Sequence, residues 1–412
     1  MTDLLFSTTK ACLIAGFYPI LIFLLHPTRK LAALACFILF ISLAIIFHSR
    51  TAIGTIIIVT GLWLNIKLDR KVLAIVALLA VVLVLVNFDS CFGRLFIWYN
   101  IFCHIGEIPL TGKGLYMFQS TYADWQAGYF ATHTSYNKAY FIADSPMFAY
   151  NEWLQVYVEF GVGAVILLTV LVFLNLKLMN NVKGIFKGFV VSNLVIFAFC
   201  LVSFPLHQNY TLSLFLINQL IIFTYFLTKV WHKQIAFVCI LLIFGGIIYF
   251  QLNKVKYVKQ WQMASLAPLS ERRAILESCF PHLYHDSYFL DNYISVLMMQ
   301  KDFVTAGNIL HNYKVYMNQY RYYTMSGDRY SSMREYNSAI VEYSKAQLII
   351  PNRFEPLYKT MIIHLMNKNI LASQQIAAVI IKMPVKIPSA QIEMMKKDAV
   401  QVEAGKLPSM FN

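Results

Sequence analysis

Along the first 250 residues the apolar positions come in long runs, broken at short intervals by basic clusters. A bilayer-crossing helix needs about 20 consecutive apolar residues. Runs near that length fall at 11–27, 31–48, 52–66, 72–88, 153–176, 188–206, 209–228 and 234–250. The pattern predicts an all-α, polytopic helical membrane domain over 1–250 with about eight spans. The clusters "HPTRK" (26–30), "KLDRK" (67–71), "KLMNNVKGIFK" (177–187) and "KVWHK" (229–233) occupy every second connection. Basic loops stay cytoplasmic, so the alternate connections, a long one at 89–152 among them, are expected on the opposite side with both termini.

Beyond residue 250 the pattern changes to mixed helices rich in Tyr, Lys, Gln, Asn and Glu. "YNSAIVEYSKAQLIIPN" (336–352) spaces alanines and tyrosines like the second helix of a tetratricopeptide unit. Stretches 293–313 and 358–381 have similar texture, and three such units can share one core. Residues 251–412 are therefore expected to form an extracytoplasmic α-helical, tetratricopeptide-like domain that holds a protein partner or substrate.

Composition agrees with the apolar pattern: 58% of residues are hydrophobic and 13% charged, against about a quarter charged in a soluble domain. The net charge is +14, and much of the charge lies in connections between apolar runs, where topology and anionic membrane lipids account for it. No basic helix interleaved with stacking aromatics is present, so nucleic acid is not an expected partner. The cysteines form no CxxC pair, and no His/Cys/carboxylate spacing suggests zinc, so neither a metal nor another cofactor is expected.

Candidate chemistry centres on "YNEWLQVYVEFGVGAVI" (150–166), an apolar run with carboxylates at its mouth. At 100° per residue Glu152, Gln155 and Glu159 share one stripe, which continues into a small-residue notch at Gly163. Asn151 can cap the helix and Tyr150 adds a polar atom at its start. Such a stripe faces protein or a water-filled cavity and not lipid. Arg50 and Arg94 would make a bidentate clamp for phosphate. Lys113 lies in "TGKG", which lacks P-loop spacing. His207, in a turn between two runs, is the general-base candidate nearest the membrane plane. The plain alternatives are a snorkelling Arg50, a structural ion pair at Glu159 and a polar turn residue at His207. The aromatics of the long connection, from Tyr116 to Phe130, read equally as an interfacial belt or as stacking surfaces for a sugar.

Three stretches, in order, resemble the O-antigen ligase and polymerase superfamily over about residues 45–215. They are "FHSRTAIGTIII" (47–58), "SCFGRLFIWYNIFCHIGEIPLTGKGLYMFQ" (90–119) and the Asn151, Leu154, Glu159, Gly161 element of the acidic stretch. The resemblance implies transfer or polymerisation of a glycan from an undecaprenyl-diphosphate-linked donor on the periplasmic face of a bacterial inner membrane, without metal. It implies that Arg50 and Arg94 bind the diphosphate. Read from the residues themselves, Tyr150 and His207 join them as the catalytic candidates, and Lys113, Asn151, Glu152, Gln155 and Glu159 are the candidate substrate-binding positions. The acceptor would be a glycan, a lipid or a protein hydroxyl. One departure stands out, because the position where a ligase of the family shows histidine is Tyr150. A membrane-anchored scaffold acting through its helical repeats and a transporter of lipid-linked glycans are the alternatives.

Overall fold

A computed structural model describes residues 2–25, 29–64, 88–133, 135–227, 245–246 and 253–408. Among these every regular element is helical. The chain divides into two compact units. Unit 1 gathers 1–94, 108–114 and 148–252, and unit 2 gathers 95–107, 115–147 and 253–412.

Unit 1 contains α1 (Thr2–Leu24), α2 (Lys30–Ile46), α3 (Arg50–Trp63) and the first turns of α4 (Phe88–Cys103). After two helices of unit 2, α5 (Phe118–Thr132) and α6 (Lys138–Ile142), it resumes with α7 (Glu152–Met179), α8 (Gly184–Cys200) and α9 (Asn209–Leu227). Ala11, Ala15, Tyr18 and Ile22 recur at helical spacing and are fully buried. They share a core with Val191, Val195, Ile196 and Phe199 of α8, the helix on which α1 packs most extensively. Gly188 permits that close crossing, since a Cβ there would stand 2.8 Å from the Pro19 carbonyl oxygen and 3.0 Å from Ile20 Cα. Polar groups inside this apolar packing bond to one another. Asn193 Nδ2 donates to Asn175 Oδ1 at 3.3 Å, and Asn218 Nδ2 to Ser192 Oγ at 2.8 Å.

This packing corrects the eight-span expectation. Among the described residues one helix, Glu152–Met179, is long and apolar enough to cross a membrane. Thr9–Leu24, Lys30–Ile46, Arg50–Trp63 and Gly184–Cys200 are apolar over only 10–17 residues. Runs short of a span serve as core helices, and these bury their faces against each other. The expected spans at 72–88 and 234–250 lie outside the described residues, apart from Phe88 and the pair 245–246. The multi-pass inner-membrane placement and the periplasmic C-terminal domain fall with the count.

The second unit resumes at Asn253, close to the expected boundary at 250, and it also takes in most of the connection 89–152. The 89–152 connection is largely helical, and most of it packs with the C-terminal residues. Gln119 Nε2 donates to the Met317 carbonyl at 2.6 Å, and Asn352 Nδ2 to the Tyr140 carbonyl at 2.7 Å. Unit 2 continues through α10 (Leu269–Leu283), α11 (Ser287–Met299), α12 (Phe303–Tyr313), α13 (Gln319–Ser332), α14 (Tyr336–Ile349), α15 (Glu355–Met366), α16 (Ile370–Lys382) and α17 (Ala390–Glu403). From α13 onward each helix packs against the next. Asp286, Asp302, Asn318, Asn369 and Ser389 cap helix starts with side-chain oxygens. Ala339 and Ala346, noted for their spacing, are fully buried contact positions.

Replacing Gly188 by leucine should wedge α1 away from α8. Overpacking of this kind costs roughly 1–3 kcal/mol, so thermal unfolding should shift to lower temperature. Gly163→Ala, where the added Cβ meets nothing within 4 Å, should leave the transition unchanged or slightly raised.

Candidate functional site

Helix α7 starts where Asn151 stops the extended chain. Its side-chain oxygen accepts from the Leu154 N–H at 3.2 Å, and its Nδ2 donates to the Leu201 carbonyl at 3.3 Å. The next residues on one face are Glu152, Gln155 and Glu159, each at most 2% exposed. They face the short 3-10 turn Pro205–His207. His207 Nδ1 lies 2.8 Å from Glu152 Oε2, and its Nε2 lies 3.4 Å from Glu159 Oε2. Glu152 Oε1 accepts the Leu206 N–H at 2.6 Å. Gln155 uses both ends of its amide. Its Oε1 accepts the Ala149 N–H at 2.7 Å, and its Nε2 donates to Glu159 Oε1 at 2.9 Å.

Two carboxylates to one imidazole decide the electrostatics. Burial works against a charged His207, but the hydrogen bonds and attraction of Glu152 and then Glu159 outweigh it and push its pKa up to about 10. The imidazole is therefore an imidazolium at neutral pH, donating from both nitrogens. It cannot serve as a free base in that state. The Glu152 charge is also felt by neighbouring thiols. Burial first, and Glu152 second, push the Cys12 and Cys200 pKa values up.

The backbone fixes this cluster from a second side. At Gly161 the chain leaves helical geometry with φ 75°. There the 108–114 segment pairs with α7. The Lys113 N–H donates to the Val158 carbonyl at 2.8 Å, the Gly114 N–H to the Glu159 carbonyl at 2.9 Å, and the Val162 N–H to the Leu110 carbonyl at 3.1 Å. Gly112 has φ 81°, and a Cβ on it would overlap the Glu159 carbonyl. One on Gly161 would overlap the Leu110 carbonyl. Both glycines are thus required by conformation and by space. The small-residue notch is at Gly161, whereas Gly163 borders open space.

Tyr150 sits before the helix at φ 53°, a left-handed conformation rare for an aromatic residue. Its ring meets Phe204 edge-on at 5.3 Å and carries the Arg94 guanidinium 5.5 Å from its centroid. Phe148 stacks on Phe204 at 4.2 Å and stands 5.6 Å from the His207 ring. Arg94 is half-buried, and burial pulls its pKa down against the opposing effect of Tyr150. Among the described residues no carboxylate pairs with Arg94 or with the Lys113 ammonium.

The structure thus brings Tyr150, Asn151, Glu152, Gln155, Glu159 and His207 together, with Arg94 joined through Tyr150 and Lys113 through its backbone. Arg50 starts a different helix, α3, behind the cap Ser49, whose Oγ accepts the Ala52 N–H at 3.2 Å. Glu159 was expected to orient an arginine, but its side-chain partners are Gln155 and His207. Phe148, Phe204 and the Gly112–Gly161 crossing escaped the sequence reading. Among the described residues no group of three or more His, Cys, Asp or Glu could hold a metal ion.

Comparison with known protein families, with curated proteins and with solved structures finds no match to this chain. The resemblance to O-antigen ligases and polymerases rests on the quoted motifs alone. That resemblance, and the likeness of the C-terminal helices to tetratricopeptide units, gain no support from these comparisons.

The raised His207 pKa makes stability depend on pH. The contribution is complete below the ordinary value of 6.5 and is lost as pH rises through about 10. Between those limits the protein should lose stability by up to about 1.4 kcal/mol per pH unit, the slope for one proton. Thermal unfolding across this range should show a steeper fall for the native protein than for His207→Gln. A separate expectation concerns the crossing: Gly161→Ala should destabilise unit 1 by more than about 1 kcal/mol, because strain and overlap act together.

Proposed function

We propose that unit 1 binds a diphosphate-linked glycan and transfers the glycan to an acceptor hydroxyl. The observation that carries this reading is the Arg94 guanidinium, half-buried, seated on the Tyr150 ring and without a carboxylate partner among the described residues. A desolvated cation of this kind is costly unless an anion completes it. The planar fork of arginine fits a phosphate in bidentate fashion. Lys113, also half-buried and without a carboxylate partner among the described residues, offers a second cation. Both acids of the cluster, by contrast, are engaged with His207.

The reaction then divides between the two halves of the site. The acceptor oxygen forms a bond to the anomeric carbon, and the bond from that carbon to the phosphate oxygen breaks. The electron pair leaves with the diphosphate, whose growing charge Arg94 and Lys113 stabilise. The acceptor proton passes to the Glu152–His207–Glu159 cluster, which holds two carboxylates to one imidazolium and has capacity for one proton. The donor's lipid would find apolar surface on unit 1, where Leu31, Ile38 and Phe173 are more than half exposed. The resemblance points to the same donor class.

Transfer from a polyprenyl-diphosphate oligosaccharide to a hydroxyl acceptor tests the proposal. Arg94→Ala should lower the rate by about 100-fold or more, as losing one preorganised donor does elsewhere, with Arg94→Lys recovering only part of it. Inorganic pyrophosphate should compete with the donor for the native protein and not for Arg94→Ala. Full activity of Arg94→Ala would overturn the reading.

A further inference from the structure

We infer that a groove in unit 2 binds peptide segments that present a lysine or arginine beside aliphatic side chains. This inference is independent of the transfer reaction proposed for unit 1. The groove encloses about 460 Å³ and is lined from α13, α14, α15 and α17. That volume falls within the range of ligand sites.

Its lining combines two chemistries along one face of α15, where Glu355, Lys359, Ile362 and Met366 follow one another at helical spacing. The apolar part is Ile362 and Met366 with Met394 of α17, the two methionines 50% and 46% exposed. Flexible thioethers in an open groove adapt to varied aliphatic shapes. In the polar part Lys359 Nζ is 2.8 and 3.0 Å from the Asp328 oxygens and 2.7 Å from Glu355 Oε1. The Tyr343 hydroxyl donates to Asp328 Oδ1 at 2.6 Å, and the Tyr320 hydroxyl to Glu355 Oε2 at 3.3 Å. One ammonium faces two carboxylates, so these three groups together are net negative. Arg321 also acts on Glu355, but its own ion pair is with Asp291 at 3.4 Å. The Asp328 and Glu355 side chains remain 40% and 32% exposed and can receive a second cation.

Acidic groups adjoining an apolar, adaptable surface in one groove select for a cation carried next to aliphatic groups. A small free cation would leave the methionines uncovered, and an acidic peptide would be repelled. The built-in Lys359 occupies part of the acidic capacity. Removing its charge while keeping its aliphatic stem should therefore strengthen the binding of a cationic guest.

The test uses the full chain and a fluorescein-labelled peptide of alternating leucine and lysine, followed by anisotropy. A matched peptide with glutamate in place of lysine is the control. The lysine peptide should bind saturably, the glutamate peptide should not, and the affinity should fall as salt rises from about 50 to 500 mM. Met394→Asp should weaken binding roughly tenfold, and Lys359→Met should tighten it roughly threefold or more. Equal binding of the two peptides, an affinity insensitive to salt, or no tightening in a folded Lys359→Met protein would overturn the inference. So would self-association of the chain that Met394→Asp abolishes, because the groove would then belong to a second copy.

Discussion

Two carboxylates buried on one face of a helix repel each other unless a cation stands between them. In unit 1 that cation is His207, and the local architecture follows from the need to keep it there. The turn carrying it must point at α7, so it is tied at several places. Glu152 accepts the Leu206 N–H, Thr211 donates to the Pro205 carbonyl, and the Thr9 hydroxyl donates to Gln208. These bonds draw on α1, α7 and α9 together. The ion cluster therefore joins parts of the chain about 200 residues apart, in the sense that Thr9 and Gln208 differ by 199 positions. Truncating either acid would leave a buried charge poorly matched, which costs more than the pair itself contributes.

From that cluster the constraint spreads outward through Gln155. Its amide can bond Glu159 and the Ala149 N–H only while the chain before α7 is folded back over the helix start. That fold-back places Tyr150 in the left-handed region, a strain on the order of 1–3 kcal/mol that its surroundings must offset. The Phe204 and Phe148 stacking supplies part of the offset, and the same rings give Arg94 its platform. On the far side of Glu159 the pairing of 108–114 with 158–162 holds the helix at its break. Two glycines allow two backbones to approach within hydrogen-bonding distance, which no side chain would permit.

Much of this was legible before the structure and some was not, for identifiable reasons. Helix existence followed from apolar periodicity, and the stripe of Glu152, Gln155 and Glu159 followed from 100° per residue, because both are local properties of one helix. The Asn151 cap was legible for the same reason. What those residues touch is not local. A stripe predicts that something polar faces it, and either an arginine or a histidine satisfies that demand equally well. Only tertiary placement of the Pro205–His207 turn decides for His207. The span count failed because an apolar run does not say whether protein or lipid covers it; α1 and α8 cover each other. The association of the connection 89–152 with the C-terminal residues was not legible, because it rests on Gln119 and Gln126, whose bonding partners lie far along the chain. Gly161 offered a usable signal: a glycine inside an otherwise apolar helix, with Gly112 in a turn-rich segment upstream, marks a close backbone approach.

The charges in unit 1 are sorted in a way that bears on what it can bind. A purely structural ion network would use the arginine, since guanidinium keeps its charge under burial better than imidazole does. Here the weaker cation, His207, is spent on both acids, and Arg94 is left on an aromatic face. That allocation keeps the acids from neutralising Arg94. Tyr150 contributes attraction through its ring without offering a competing acceptor charge. The arrangement separates the Glu152–His207–Glu159 cluster from Arg94, with the Phe148 ring beside the one and the Tyr150 ring beside the other. In the proposed transfer this separation would let a leaving anion be held on one side while the incoming hydroxyl loses its proton on the other, the division of labour that transfer from a phosphate ester requires.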